Sequence, residues 1–206
     1  MRYSFPFLAL LLSGCNPKED FSFKNRKLSS SQIHAIYLQP FGQMDEILIE
    51  NISQKLSDSL NGQINILPAI SFPQNAYYTP RKRFIADSII MYLQNKAGSD
   101  KYFIGLTNAD ISTFDEGKGN WGIMGLGYQP GNACVVSSFR LNTKNKKLQE
   151  RFYKVAVHEL GHNFGLSHCD NAGCYMMDAD GKMKMDEEHF FCKKCRYFLM
   201  QKSFFK

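Results

Sequence analysis

The chain has 206 residues, enough for one domain, and its 44% hydrophobic and 14% aromatic residues exclude a disordered chain. Its 25 Lys and Arg residues against 19 Asp and Glu residues give a net charge of +6, but the basic residues are scattered along the sequence. Composition therefore argues against a nucleic-acid-binding protein, and the short basic runs are assigned to the solvated surface.

The first residues predict an export signal rather than folded structure. Arg2 supplies a positive start, Phe5 to Leu12 form an apolar run, and Leu12-Ser13-Gly14-Cys15 resembles the lipobox of bacterial lipoproteins. The resemblance implies that residues 1–14 are a signal peptide and that Cys15 is acylated, so that lipid rather than a spanning helix anchors the protein to the bacterial envelope. Asn16-Pro17-Lys18-Glu19-Asp20 resembles the lysine-plus-acidic signal of some surface lipoproteins, which implies the outer membrane or cell surface. An ordinary secretory signal with an incidental Cys15 is the alternative. Both interpretations place the protein outside the cytoplasm.

Residues 15–32 are polar and aperiodic, which predicts a flexible tether, and the folded domain is predicted over residues 33–206. Apolar spacing then predicts strands and helices that alternate along the chain, the order typical of an α/β sheet layered with helices. The predicted strands are Ile33–Leu38, Gln63–Ile70, Tyr102–Leu106 and Ala133–Arg140, and the predicted helices are Asp45–Leu60, Arg81–Asn95 and Leu148–Phe164. The first strand, helix and second strand predict a parallel crossover, and a glycine-rich stretch, Gly117–Gly131, lies between the last two strands.

A metal site is predicted on the last of these helices. His158-Glu159-Leu160-Gly161-His162 places two imidazoles on one helix face, with Glu159 beside the metal as a candidate general base for zinc-activated water. Gly165 can end the helix with a positive φ, so that the chain turns and returns His168 as a third ligand. Three imidazoles leave one coordination position for water, which is typical of a catalytic zinc.

Chance is a weak explanation for this pattern. The probability that HExxH occurs by chance in a chain of this length is on the order of half a per cent. Requiring the glycine and the third histidine as well lowers that probability roughly a thousandfold. A degenerate, inactive descendant of an enzyme is the alternative, although all three ligands and the base are present.

The sequence from His158 to His168 resembles the metzincin metallopeptidases, and the cysteines after it resemble the archaemetzincins. That resemblance covers about Ile33 to Cys195. It implies a mixed, twisted sheet of α+β metzincin type, an active-site helix that ends at Gly165, and Met176 packed beneath the histidines as the Met-turn residue. For Met176, ordinary core filling is the alternative.

The resemblance also implies a small C-terminal subdomain with a second, structural zinc. Its four ligands would be Cys169, Cys174, Cys192 and Cys195, which have the number and spacing of a closed zinc site. Two disulfides are the alternative, because an exported protein meets an oxidising compartment. The segment between Met176 and Cys192 is about two residues shorter than in archaemetzincins, so substrate preference after the scissile bond does not transfer.

In metzincins the substrate lies antiparallel to an edge strand above the active-site helix. Asn120–Tyr128 is the candidate for that edge, with a glycine-rich surface loop as the alternative. The sequence thus predicts a two-zinc peptidase that acts on a peptide or protein substrate, with no nucleic-acid partner and a membrane contact only through Cys15. Two other functions stay open: a non-catalytic, zinc-stabilised surface binding module, and a zinc hydrolase of another amide such as a peptidoglycan crosslink. The oligomeric state is left open.

Overall fold

The computed structural model describes residues 34–98, 101–178 and 185–206. The predicted signal peptide, the predicted acylation site Cys15 and the predicted tether therefore lie outside the described residues. The strands are β1 His34–Pro40, β2 Gly62–Ile66, β3 Tyr77–Tyr78, β4 Arg83–Ile85, β5 Lys101–Thr107, β6 Ile111–Asp115, β7 Gly119–Ile123, β8 Gly125–Gly127 and β9 Ala133–Ser137. The helices are α1 Glu46–Ser59, α2 Ala86–Ala97, α3 Asn145–Asn163 and α4 Lys193–Met200, and short 3₁₀ turns cover Gln74–Ala76, Thr79–Arg81 and Met185–Glu187.

The main sheet has five strands in the order β2-β1-β5-β9-β8. Its first four strands are parallel, and β8 is antiparallel to β9 at one edge. A second sheet has the order β3-β4-β6-β7 and is also mixed. The predicted α/β fold with a mixed sheet and layered helices is confirmed, as is the parallel crossover from β1 through α1 to β2.

Helices cover both faces of the main sheet because strand side chains alternate between the faces. One face of β1, β5 and β9 packs against α1 and α3, and the other face packs against α2. In β9 the alternation is complete, since Cys134 and Val136 belong to the first core while Ala133 and Val135 belong to the second. This arrangement fixes α3 beneath β9 and β8. None of the helices in the described part of the chain is long and apolar enough to span a membrane.

The predicted strands that start at Gln63 and Ala133 end earlier than expected, at Ile66 and Ser137, and two other predicted elements differ more in extent. The predicted helix from Arg81 begins only at Ala86, because residues before it form β4, where the Phe84 N–H donates to the Asp110 carbonyl. The predicted edge strand Asn120–Tyr128 is instead divided between two strands, β7 and β8, which pair with β6 and β9 in different sheets. In both places a partner distant in sequence decides the backbone conformation, and local spacing carries no information about it.

Candidate active site

The three predicted histidines lie together at the C-terminal end of α3. His158 and His162 come from successive turns of α3, and His168 comes from the chain that returns after Gly165. One ring nitrogen from each histidine lies within 4.8 Å of the others. The turn depends on Gly165, which has φ +105° and whose N–H donates to the His162 carbonyl at 2.8 Å. Few residues other than glycine adopt such a φ.

Each of these imidazoles is oriented by an oxygen on its Nδ1 side. The Nδ1 atom of His158 lies 2.6 Å from the Tyr175 carbonyl, and that of His162 lies 2.7 Å from the Leu166 carbonyl. The Nδ1 atom of His168 lies 3.4 Å from a carboxylate oxygen of Asp178. With Nδ1–H donating to carbonyls, the Nε2 atoms of His158 and His162 carry lone pairs toward each other, 3.0 Å apart.

This donor set fits a zinc ion. Nitrogen ligands at about 2.0–2.1 Å from a tetrahedral zinc lie about 3.3 Å apart, close to the separation of the two Nε2 atoms. Burial, together with the neighbouring imidazole of His162, lowers the pKa of His158 to about 3. Burial also lowers the pKa of His162. The two rings are therefore neutral at physiological pH, which is the protonation state that binds metal.

Glu159 lies beside this cluster and against the glycines of β8. Its side chain is 8% exposed and lines a cleft of about 810 Å³ together with all three histidines. Burial raises the pKa of Glu159 to about 8, although a hydrogen bond from the Gly127 backbone opposes that shift. A buried carboxyl group beside the predicted metal ligands is in position for general acid and base catalysis.

The glycines of β8 are required by their contact with α3. A Cβ atom at Gly125 would lie 2.6 Å from Oε1 of Glu159, and one at Gly127 would lie 2.5 Å from the Glu159 carbonyl oxygen. Asn163 holds the following segment, donating to the carbonyls of Tyr128 and Ala133 at 3.0 Å each. The edge of the main sheet therefore lies directly over the predicted base. Of the predicted substrate edge, residues 125–127 occupy this position, while residues 120–123 belong to β7 of the second sheet.

Met176 packs under the helix that carries the histidines. Its side chain is fully buried, and its carbonyl accepts a hydrogen bond from the Cys169 N–H at 2.8 Å. A Cβ atom at Gly161 would lie 2.6 Å from Sδ of Met176, so Gly161 allows this close packing.

The four predicted cysteines form a second cluster beside the first. The Sγ atoms of Cys169, Cys174, Cys192 and Cys195 lie within 4.8 Å of one another. All four are free thiols, so the disulfide alternative is not present in this structure. The sulfurs of Cys169 and Cys192 are 3.7 Å apart, near the separation of about 3.8 Å expected for two sulfurs bound to one tetrahedral zinc at about 2.3 Å. Cys134 is separate, fully buried in the core of the main sheet.

Sequence reasoning missed the groups that orient the site. The oxygens on His158 and His162 are backbone carbonyls, which have no sequence signature, and Asp178 has no regular spacing from His168. It also missed Lys154 and Glu188, two buried charged residues that line the same cleft. A charged residue in the apolar stripe of a helix, as Lys154 is in α3, is the one available signal.

Comparison with known proteins yields consistent similarities. A model of peptidase family M54 matches residues 66–201 of the chain. Archaemetzincin from Archaeoglobus fulgidus is 31% identical over 162 residues, covering 78% of this chain and 95% of that protein. The crystal structure of the A. fulgidus protein complexed with malonate has a TM-score of 0.69 at 29% identity, covering 80% and 99% of the two chains. The crystal structure of archaemetzincin from Methanopyrus kandleri has a TM-score of 0.72 and covers 84% of this chain and 98% of its own. At 24% identity, this likeness supports the fold alone.

Proposed function

The chain belongs to peptidase family M54, the archaemetzincins, and is a zinc-dependent metallopeptidase; from this premise we propose the role of each residue in the cleft. His158, His162 and His168 hold the catalytic zinc, and Glu159 is the general base of peptide-bond hydrolysis. The observation that carries this assignment is the convergence of three ring nitrogens, with an oxygen on the Nδ1 side of every ring. When bound, zinc supplies Lewis-acid activation of water and of the scissile carbonyl.

Glu159 moves the proton in this reaction. Its carboxylate accepts a proton from the attacking water and returns it to the amine of the leaving product, so that the group ends each cycle as it began. Two features of the chain support this role. The carboxyl is buried beside the histidines, and the β8 backbone at Gly125 packs closely against it.

The free edge of β8 binds the substrate backbone. β8 pairs with β9 on one side only, and its residues line the cleft on the other. An extended peptide can add to such an edge by main-chain hydrogen bonds that are largely indifferent to sequence, and we assign it the antiparallel orientation. Substrate selection then depends on the side pockets of the cleft.

The cysteine cluster is proposed to hold a second, structural zinc. Its members come from the segment after His168 and from the start of α4, so one ion would join the two. A closed set of four thiolates leaves no position for substrate, which is why its role is structural.

The lipid anchor at Cys15 is a separate proposal that rests on the resemblance of residues 12–15 to a lipobox. If cells incorporate labelled fatty acid into the wild-type protein but not into the Cys15→Ala variant, the lipid anchor is supported.

Glu159→Gln tests the proposed base. The variant is expected to keep its zinc content and to lose hydrolysis of a peptide library, read by mass spectrometry, by about 100-fold or more. Turnover equal to wild type would refute the assignment. If the wild type leaves all peptides intact but releases fragments from peptidoglycan, the chain acts on another amide; if it cleaves neither but binds intact proteins, it is a binding module.

A further inference from the structure

The cleft continues beyond Glu159 toward the N-terminal part of α3. Lys154, Val155, Met185 and Glu188 line this part, which we call the side pocket. Val155 lies one helical turn before Glu159, a rise of about 6 Å along the axis. The side pocket is therefore next to the position where the scissile bond would lie.

The cations in and near the side pocket are already paired. The Lys154 ammonium lies 2.9 Å from a carboxylate oxygen of Glu150 and donates to the Met185 carbonyl at 2.8 Å. Arg140 donates two hydrogen bonds to Asp110, at 2.7 and 2.9 Å. The Lys154 charge is therefore compensated, and the guanidinium groups of Arg83 and Arg140 are both held by the single Asp110 carboxylate.

Glu188 is the exception among these charges. It is 4% exposed, and its carboxylate takes part in no hydrogen bond or ion pair with the residues that the structure describes. Burial raises the pKa of Glu188 to about 7, and the nearby charge of Lys154 only partly opposes this shift. A buried carboxylate without a partner is costly, so the free protein gains when a cation enters the pocket.

The direction of the substrate places this pocket after the scissile bond. A Cβ atom at Gly125, at the start of β8, would contact Val155 and Glu159, while Tyr128, just past the end of β8, contacts Asn163. β8 and α3 thus run in the same direction along the cleft. A peptide antiparallel to β8 runs from the Asn163 end toward Val155, so residues that follow the scissile bond lie toward Glu188.

We propose that Glu188 is a specificity determinant that selects a lysine or arginine at the residue following the scissile bond. The aliphatic stem of such a side chain packs against Val155 and Met185, and its charged end pairs with the Glu188 carboxylate. This inference rests on the proposed peptidase function and on the antiparallel orientation of the substrate. It gives this chain a preference for basic residues that the family fold alone does not specify.

Matched fluorogenic peptides test the proposal. They differ only at the residue following the scissile bond, which is lysine, norleucine, glutamine or glutamate. Wild type is expected to cleave the lysine peptide with kcat/KM about 10-fold or more above the norleucine peptide, because a charge-assisted hydrogen bond is gained. In Glu188→Gln that ratio falls to about one while the norleucine value stays within about twofold. Glu50→Gln, at an exposed carboxylate of α1, is the control and keeps the wild-type ratio.

A binding measurement separates this inference from the proposed function. In a Glu159→Gln background, the Kd of the lysine peptide by fluorescence anisotropy is expected to be lower than that of the norleucine peptide, and Glu188→Gln should remove the difference. Cleavage by wild type with no preference for lysine, or a preference for glutamine, overturns the inference and leaves the peptidase function intact. No cleavage of any peptide, with selective lysine binding retained, refutes the peptidase function and supports the pocket.

Discussion

Replacing Gly127 with alanine introduces a methyl group between β8 and α3. The Cβ atom would lie 2.5 Å from the Glu159 carbonyl oxygen, 3.2 Å from its carbonyl carbon and 3.3 Å from its Cα. All three atoms belong to the backbone of a buried helix, so a rotamer change cannot relieve the contact. β8 must instead move away from α3 by about 0.5–1 Å to restore van der Waals separations.

That movement has two measurable consequences. Overpacking of this kind typically costs about 1–3 kcal/mol, which lowers Tm by roughly 2–12 °C for a domain of this size. The movement also takes the β8 backbone away from Glu159 and shifts the edge that is proposed to hold the substrate. A displacement approaching 1 Å at a catalytic site can cost about 100-fold in rate, so kcat/KM is expected to fall far more than stability alone explains.

Gly117→Ala is the matched control. Gly117 lies in the turn between β6 and β7, where a Cβ atom would approach only Asp115, at 3.5 Å. Differential scanning calorimetry and peptide hydrolysis should show little change in this variant. If Gly127→Ala keeps both Tm and kcat/KM at the Gly117→Ala values, the close packing of β8 on Glu159 is refuted.

Three further predictions concern the groups that surround the cleft. Arg151→Met is expected to lower the free energy of unfolding by about 2 kcal/mol, because Arg151 donates two hydrogen bonds to Asp186 and one to the Leu141 carbonyl. Lys147 is an exposed ion-pair partner of Asp186, so the control Lys147→Met should change the free energy of unfolding by less than about 0.5 kcal/mol. Both are read by urea denaturation. Hydrogen bonds from Arg151 and Lys147 lower the pKa of Asp186, so its contribution is present above the unfolded pKa and is lost as pH falls through the lower folded value. The Tm difference between wild type and Asp186→Asn should therefore shrink below about pH 4, and a difference that grows with acid would contradict the sign. Cys174→Ser is expected to bind one fewer zinc ion per chain by elemental analysis and to lower Tm; unchanged zinc content would exclude the cysteine site.

The 3₁₀ turn Met185–Glu187, beside the side pocket, is attached to α3 by two cationic side chains that sequence patterns do not reveal. Arg151 bonds Asp186, and Lys154 donates to the Met185 carbonyl, so the 3₁₀ turn Met185–Glu187 is held against the helix from two positions. This attachment places Glu188 at the cleft.

Local spacing in the sequence was informative wherever one helix determined the geometry. His158 and His162 are four residues apart, and that spacing places both rings on one face of α3 in any fold that keeps the helix. Gly165 is informative for the same reason, since a positive φ at a helix end is a property of the residue and its neighbours. The residue types also identify zinc, because imidazoles and thiolates are its preferred ligands.

Contacts between distant segments were not available from spacing. Phe84 has the periodicity of the helix that follows it, yet in β4 it pairs with Ile111 of β6 and stacks on Phe72 at 3.7 Å between ring centroids. The sequence also predicts one edge strand over Asn120–Tyr128, yet residues 119–123 pair with β6, and only the short strand of Gly125 and Gly127 packs on Glu159. In each case the energy that decides the conformation comes from a partner far along the chain.

The proposed zinc ligands and the proposed base were therefore predictable from helical spacing in the sequence. The proposed selectivity of the side pocket was not. Only the tertiary structure brings Glu188 next to Lys154, places Gly127 over Glu159, and orients the rings by carbonyls of Tyr175 and Leu166. The reason is physical: a helix fixes the relation of residues three or four apart, whereas the approach of separate segments depends on the packing of the whole core.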